Sequence, residues 1–204
     1  MTDQFSFPGF ESAPALLRRV KAPKAAQPRH SIFFAIRPWW DDLLPVEAKV
    51  AGLRRQFGTA RTVVKPERLH ITCCDLGGFD DAPPQALIEK ARDAAAALAL
   101  PPFEITFERA MRFNHNGALV LLERTGVTPL TAFRDRLDQA LIQAGVPVDV
   151  KNPLHMTLAY GDGAVSETLP EPIRWKAQEF VLLDSLVGQT RHEELGCWPL
   201  LPAR

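Results

Sequence analysis

Two histidines in this sequence are each followed two residues later by a threonine, in His70-Ile-Thr72 and His155-Met-Thr157. Both motifs end a repeat, because segments 64–72 and 150–157 each begin Val-Lys, contain a proline and close with Leu-His-apolar-Thr. Residues i and i+2 of a β-strand lie on the same face. Each segment is therefore predicted to present one imidazole and one hydroxyl to the same side.

Two such strands related by a pseudo-twofold axis would surround one cavity with two imidazoles and two hydroxyls. A histidine has an ordinary pKa of about 6.5, so one can act as a general base while its partner, protonated beside a phosphate, acts as the acid. Threonine hydroxyls can donate to the nonbridging oxygens of that phosphate. A single histidine in an apolar strand is usually a packing residue, and it is the repeat that favours phosphodiester cleavage.

The elements that must position these motifs follow from hydrophobic periodicity and from turn residues. Strands are predicted at 31–36, 69–76, 103–113, 118–122, 154–160, 180–187 and 192–200, and helices at 46–57, 84–100 and 128–144. Gly77-Gly78 is predicted to end the second strand. Strands and helices are mixed along the chain, which indicates an α+β fold.

The bulk composition narrows the class of protein. The chain has 204 residues, 46% of them hydrophobic, and a formal net charge of zero. It can bury a substantial core but lacks the positive field that drives binding to duplex nucleic acid. Residues 1–30 are interrupted by prolines and are predicted to be loosely ordered, with one bilobal domain at 31–204.

Three cysteines without CxxC spacing argue against a disulfide framework or a zinc knuckle, and favour a cytoplasmic protein. No stretch is apolar enough to predict a membrane span. We expect a monomer, in which any contact with nucleic acid is local and terminal.

The sequence resembles the 2H phosphoesterases. Within them it resembles the RNA 2′,3′-cyclic phosphodiesterases, also called 2′-5′ RNA ligase-like proteins. Paired His-x-Thr motifs at this separation carry the resemblance, supported by Phe33-Phe-Ala-Ile36 and by the closing segment 183–200. It implies two pseudo-symmetric lobes, each an antiparallel sheet with flanking helices, around a central cleft. It also implies a cyclic nucleotide or an RNA terminus as the substrate, and catalysis without a metal or a cofactor. By the same resemblance, His70 and His155 are the acid and base, and Thr72 and Thr157 are the phosphate ligands.

One position departs from the RNA-directed members of this family. Many of them have an arginine three residues after the second threonine, where this chain has Tyr160. Arginine can hold phosphate with two hydrogen bonds, whereas tyrosine can stack on a base or make one. Strand alternation puts Tyr160 on the face opposite His155 unless a bulge follows Thr157. Arg191, in the turn before the last predicted strand, is the candidate replacement cation.

Several functions remain open at this stage. Hydrolysis of a 2′,3′-cyclic phosphate is favoured, and ligation of 2′,5′-linked ends would use the same histidines in reverse. A binding module without turnover and a metal hydrolase are also open, although no third metal ligand has recognisable spacing. His30 and His115 are interpreted as structural, and His192 gains weight from its neighbour Arg191.

Overall fold

The computed structural model describes residues 29–58, 60–148 and 153–201, which form nine β-strands, three α-helices and one 3₁₀ turn. The elements in chain order are β1 (His30–Ile36), α1 (Trp40–Gln56), β2 (Ala60–Val63), the 3₁₀ turn Pro66–Arg68, β3 (Ile71–Phe79), α2 (Gln85–Ala96), β4 (Phe103–Arg112), β5 (Ala118–Leu122), α3 (Pro129–Gln143), β6 (His155–Gly161), β7 (Ser166–Ala177), β8 (Glu179–Leu186) and β9 (Arg191–Pro199).

The sheet consists of two halves of four strands that meet at a single residue pair. The strand order is β7-β4-β5-β6-β3-β1-β8-β9, with β2 added beside β6. All pairings are antiparallel, and β3 and β6 are joined only by the pair Ile71 and Met156. The predicted α+β fold with two pseudo-symmetric lobes is confirmed, and the centre of the pseudo-symmetry lies between the two His-x-Thr motifs.

The two faces of this sheet are covered differently. Apolar residues of all three helices pack with alternate strand residues such as Phe34, Leu121 and Phe180 into one large core. Among the described residues, the opposite face carries two small apolar clusters. One is Phe33, Ala35, Val181 and Leu183 in the first half, and the other is Ala118, Val120 and Leu122 in the second. We call this second side the open face, and it is the side available to a ligand.

The main differences from the sequence prediction concern four elements. The strand β7 was missed, because Pro170, Pro172 and many exposed polar residues mask its period; it pairs only with β4 at the sheet edge, where proline is tolerated. The short strand β2 was also missed. Gly77-Gly78 does not end β3, which continues to Phe79. The first helix begins at Trp40 rather than Val46, with Asp41 and Asp42 in the first turn, where acidic side chains favour a helix start.

Only the last two residues of the predicted N-terminal segment 1–30 are among the described residues. Residues 1–28 lie outside the described residues, so their loose order stays a prediction. His30, assigned to that segment, is instead the first residue of β1, with its Nδ1 2.7 Å from Oδ2 of the buried Asp184. Within the described residues, no helix combines the length and the apolar character needed to cross a membrane.

Candidate active site

The two His-x-Thr motifs face each other across the middle of the sheet. Ile71 pairs with Met156, and both are fully buried in the large core. Antiparallel register places His70 and Thr157 on one side of that pair, and Thr72 and His155 on the other. The repeat therefore brings both imidazoles and both hydroxyls together on the open face, where all four side chains are half-buried.

Both imidazoles are held by the same local device. His70 Nδ1 lies 2.7 Å from the carbonyl oxygen of Arg68, and His155 Nδ1 lies 2.6 Å from that of Pro153, in each case two residues earlier. A carbonyl only accepts hydrogen bonds, so each Nδ1 carries the proton and donates it. The Nε2 atoms of both neutral rings are thereby left as bases.

The electrostatic surroundings favour the neutral form of both histidines in the free protein. Burial lowers the pKa of His70, assisted by the positive charges of Arg68 and His155, while the carbonyl bond opposes the shift. Burial likewise lowers the pKa of His155, with a contribution from His115 and opposition from the Pro153 carbonyl. An anionic phosphate beside them would act in the opposite sense and favour protonation of one ring.

Side chains from distant strands enclose His70. Phe33 of β1 stacks on its ring, with centroids 5.2 Å apart, and the ring of His192 stands perpendicular to it at 5.2 Å. Arg68 Nη2 donates to His192 Nε2 over 2.9 Å, so His192 carries its proton on Nδ1. Burial, His70 and Arg68 together lower the pKa of His192 to about 4. Next to these rings is a cavity of about 200 Å³ that includes Arg37 and Glu194.

His155 has a more open environment on its side of the sheet. The ring of Phe113 meets it edge to face, with centroids 5.0 Å apart, and the same ring stacks on His115 at 5.6 Å. His115 therefore lies one aromatic ring away from His155. The sequence analysis interpreted His115 as a structural residue and did not predict that it lies near His155.

A bulge after the second motif decides where Tyr160 points. Val120 pairs with Thr157 and Leu119 with Ala159, so Leu158 is an extra residue in β6. Tyr160 then pairs with Ala118, which belongs to the open-face cluster. The bulge that simple alternation required is present, and Tyr160 lies on the same face as His155 and Thr157 with 39% of its surface exposed.

The first motif has the same bulge. Ala35 pairs with Thr72 and Phe34 with Cys74, which leaves Cys73 as the extra residue of β3. Asp75 then pairs with Phe33 on the open face. Asp75 and Tyr160 thus occupy equivalent positions, five residues after their histidines.

Arg191 lies away from these groups. It is consecutive with His192 on β9, so the two side chains leave opposite faces of the strand. The exposed Arg191 Nη2 is 3.0 Å from Glu193 Oε1. The guanidinium beside His70 is that of Arg68, whose only signal in the sequence was its position two residues before the histidine.

Two further kinds of side chain bear on the chemistry of the site: those that could bind a metal ion, and the cysteines. Within the described ranges, no group of three or more His, Cys, Asp and Glu side chains is placed to hold a metal ion. Burial raises the pKa of Cys73 to about 12, so its thiol stays protonated at neutral pH. This supports the interpretation of Cys73 as a packing residue.

Comparison with known proteins gives fold relatives at low sequence identity. No curated protein matches the chain. Among solved structures, E. coli LigT in its apo form is 18% identical, with a TM-score of 0.68 over 86% of this chain and 99% of that one. A protein described as a phosphoesterase is 20% identical, with a TM-score of 0.67 over 84% and 99%. TT0787 of Thermus thermophilus is 16% identical, with a TM-score of 0.63 over 83% and 97%.

The family itself is identified by a sequence model. The model of the 2′-5′ RNA ligase superfamily matches residues 42–189, a range that contains both His-x-Thr motifs and more than half of the chain. This chain therefore belongs to the 2′-5′ RNA ligase superfamily of 2H phosphoesterases.

Proposed function

We propose that this protein is a metal-independent cyclic phosphodiesterase that hydrolyses 2′,3′-cyclic phosphates on RNA ends or small nucleotides. One observation carries the proposal. The two imidazoles flank the Ile71 and Met156 pair, and each is oriented by a carbonyl two residues earlier, so that both Nε2 atoms are free to exchange protons.

The chemistry balances with these groups alone. The neutral Nε2 of one histidine accepts a proton from water as the water oxygen bonds to phosphorus. The other histidine, protonated beside the phosphate, donates its proton to the ribose oxygen whose bond to phosphorus breaks. The products are a phosphomonoester and a free ribose hydroxyl. Thr72 and Thr157 donate hydrogen bonds to the nonbridging oxygens, on which the charge is redistributed in the transition state.

The nucleotide part of the substrate is supported by position and by fold relatives. Tyr160 lies beyond Thr157 on the open face, where its ring can stack on a base. E. coli LigT has been crystallised with 3′-AMP, ATP, NADP⁺ and phosphate. The proposal extends this ligand class, with a cyclic phosphate, to the present chain.

A panel of 2′,3′-cyclic nucleotides and RNA oligomers with cyclic-phosphate ends tests the proposal. We expect turnover to a phosphomonoester that continues in excess EDTA. Activity that is lost in EDTA and restored by a divalent metal would assign the protein to the metal-dependent class. Tight binding without any product would instead identify a binding module.

Ligation is the second candidate, and the family to which the chain belongs is the observation that favours it. Joining uses the same two histidines with a ribose hydroxyl in place of water. Incubating RNA halves that carry a cyclic phosphate and a 5′-hydroxyl, and then separating the products by length, distinguishes ligation from hydrolysis.

A further inference from the structure

A polar cavity of about 420 Å³ lies in the second half of the sheet, on the side of His155. It is formed by three separate segments: the end of β4 with the turn that follows it, β2, and the end of β6 with the loop after it. Its lining residues are Arg61, Arg112 to Gly117 and Gly161 to Ala164. The reaction proposed above does not use this cavity.

The charged groups of the cavity favour an anion. Arg112 is only 5% exposed; its Nη1 donates to the Gly117 carbonyl at 3.1 Å and its Nη2 to the Phe57 carbonyl at 3.4 Å. Its buried Nε has no hydrogen-bond partner among the described residues. The pair between Arg61 Nη2 and Asp162 Oδ1, 3.1 Å apart, is exposed on both sides, and such a pair is readily exchanged for another anion. The lining therefore carries two arginines and one carboxylate. Arg61 and His115 are exposed, whereas the Arg112 guanidinium is held by backbone carbonyls.

The walls of the cavity are held by close backbone contact. Gly161 N donates to the Gly117 carbonyl at 2.9 Å. Gly117 has a φ of +73°, and a Cβ there would lie 2.4 Å from the Gly161 oxygen. Only glycine is compatible with this approach, so the turn after β4 and the end of β6 form one preformed wall.

The cavity lies next to the candidate active site. Phe113, which lines it, contacts His155 by its edge and His115 by its face. Tyr160 stands on the open face between Thr157 and the cavity residue Gly161. From Thr157 to Gly161 the sheet advances by about 10 Å, because their neighbours Val120 and Gly117 are three residues apart at roughly 3.3 Å per residue. One nucleoside and its 5′-phosphate can cover that length.

We propose that this cavity binds the 5′-phosphate of the same nucleotide whose cyclic phosphate lies between His70 and His155. The inference rests on the proposed function and names its substrate class: RNA ends and other 5′-phosphorylated cyclic nucleotides, in preference to cyclic nucleotides with a 5′-hydroxyl. The exposed side chains of Arg61 and His115 then supply the contacts to this phosphate, on the side of the sheet where Tyr160 stands.

The test compares two substrates that differ in one group: adenosine 2′,3′-cyclic phosphate with a 5′-hydroxyl, and the same molecule with a 5′-phosphate. We expect the 5′-phosphate to raise kcat/KM about tenfold, mainly through a lower KM, because it adds charge-assisted hydrogen bonds. In Arg61→Gln and in His115→Gln this preference should fall about threefold or more, and in the double variant it should disappear. Both positions are at the surface, which avoids disturbing the buried Arg112.

A matched control is Arg136→Gln, which removes an exposed arginine from α3 on the helix-covered side of the sheet. It should keep the full preference. Equal kcat/KM for the two substrates in the unaltered protein would overturn the inference and leave the proposed function intact. A preference that survives the double substitution but is lost in Arg191→Gln would also overturn it, and would assign the 5′-phosphate to the first half.

A binding measurement tests the anion site separately from the proposed hydrolysis. Adenosine 5′-monophosphate should bind more tightly than adenosine by calorimetry, and Arg61→Gln should reduce the difference. If neither cyclic substrate is cleaved while this difference is found, the anion site stands and the proposed hydrolysis is wrong. If cyclic substrates are cleaved and the two ligands bind equally, the anion site is wrong.

Discussion

The two halves of the sheet place the same chemical groups in the same way and surround them differently. In each half a histidine is held by a carbonyl two residues earlier, a threonine follows, and a bulge comes next. In the first half, Phe33, Arg68 and His192 enclose His70. In the second half, His155 contacts Phe113 and lies near a polar cavity.

This difference separates two requirements of the proposed reaction. Proton transfer needs two oriented imidazoles, which the repeated backbone geometry supplies in both halves. We propose that the contacts that select the substrate come from neighbouring strands and turns that are not repeated. The positions after the bulges show the contrast directly, since Asp75 occupies in one half the place that Tyr160 occupies in the other.

The largest expected effect removes the feature that the halves share. His70→Ala and His155→Ala should each lower kcat by about 10²- to 10⁴-fold, because each removes a general acid or base. His30→Asn is the matched control, since it changes a histidine whose partner is Asp184 and retains a hydrogen-bond donor. Steady-state kinetics, with circular dichroism to verify folding, measure the effect. Near-native turnover in either alanine variant would contradict the two-histidine mechanism.

Substituting the two threonines tests whether the two halves of the sheet contribute equally to phosphate binding. Thr72→Val and Thr157→Val keep the shape of the side chain and remove the hydroxyl, so each should lower kcat by about 10²- to 10³-fold if it donates to the developing charge. The serine variants should restore most of the activity. Thr168→Val on the edge strand β7 serves as the control. A large loss in only one half would show that the halves do not share the phosphate equally.

Tyr160 and Asp75, at the equivalent positions after the two bulges, test whether the two halves bind the substrate differently. Tyr160→Ala should raise KM for nucleotides by about 5- to 150-fold with a smaller change in kcat, since base stacking on an aromatic ring contributes roughly 1 to 3 kcal/mol. Tyr160→Phe should retain the stacking. Asp75→Ala, at the equivalent position of the other half, should change KM far less. Equal effects of the two alanine variants would remove the proposed asymmetry in substrate binding.

The pH dependence gives a smaller effect with a definite sign. Burial lowers the pKa of both His70 and His155 from their ordinary value of 6.5. The singly protonated pair therefore becomes common only as the pH falls below about 6.5, and it is lost again when both rings are protonated. We expect a bell-shaped profile of kcat/KM with its maximum below pH 6.5. A maximum above pH 7 would show that these two groups do not control the rate.

The smallest effect distinguishes the two histidines. The positive charge of Arg68 lowers the pKa of His70, and that of His115 contributes to the lowered pKa of His155. Removing either charge should move one limb of the profile to higher pH. In Arg68→Gln the carbonyl that orients His70 is retained, so the shift should appear without a large loss of maximal rate. Profiles identical to that of the unaltered protein would show that these charges are screened.

Local sequence patterns were sufficient for much of the fold. The periodicity of residues 128–144 and the turn after residue 113 predicted α3 and the β4 and β5 hairpin, because these elements depend on nearby residues. The edge strand β7 was missed, since its prolines are compatible only with an edge position that no local pattern reveals.

For the candidate site, too, the sequence predicted some features and the tertiary structure decided others. The sequence by itself determined that two imidazole and hydroxyl pairs exist, that they repeat, and that a strand would direct each pair to one face. Only the tertiary structure decided which face Tyr160 occupies, because the bulge at Leu158 is a property of the register between β5 and β6. It also separated Arg191 from the site and placed Arg68 and His192 beside His70, although 124 positions separate those two residues. Such contacts depend on strand order and side-chain packing between distant segments, which spacing along the chain does not encode.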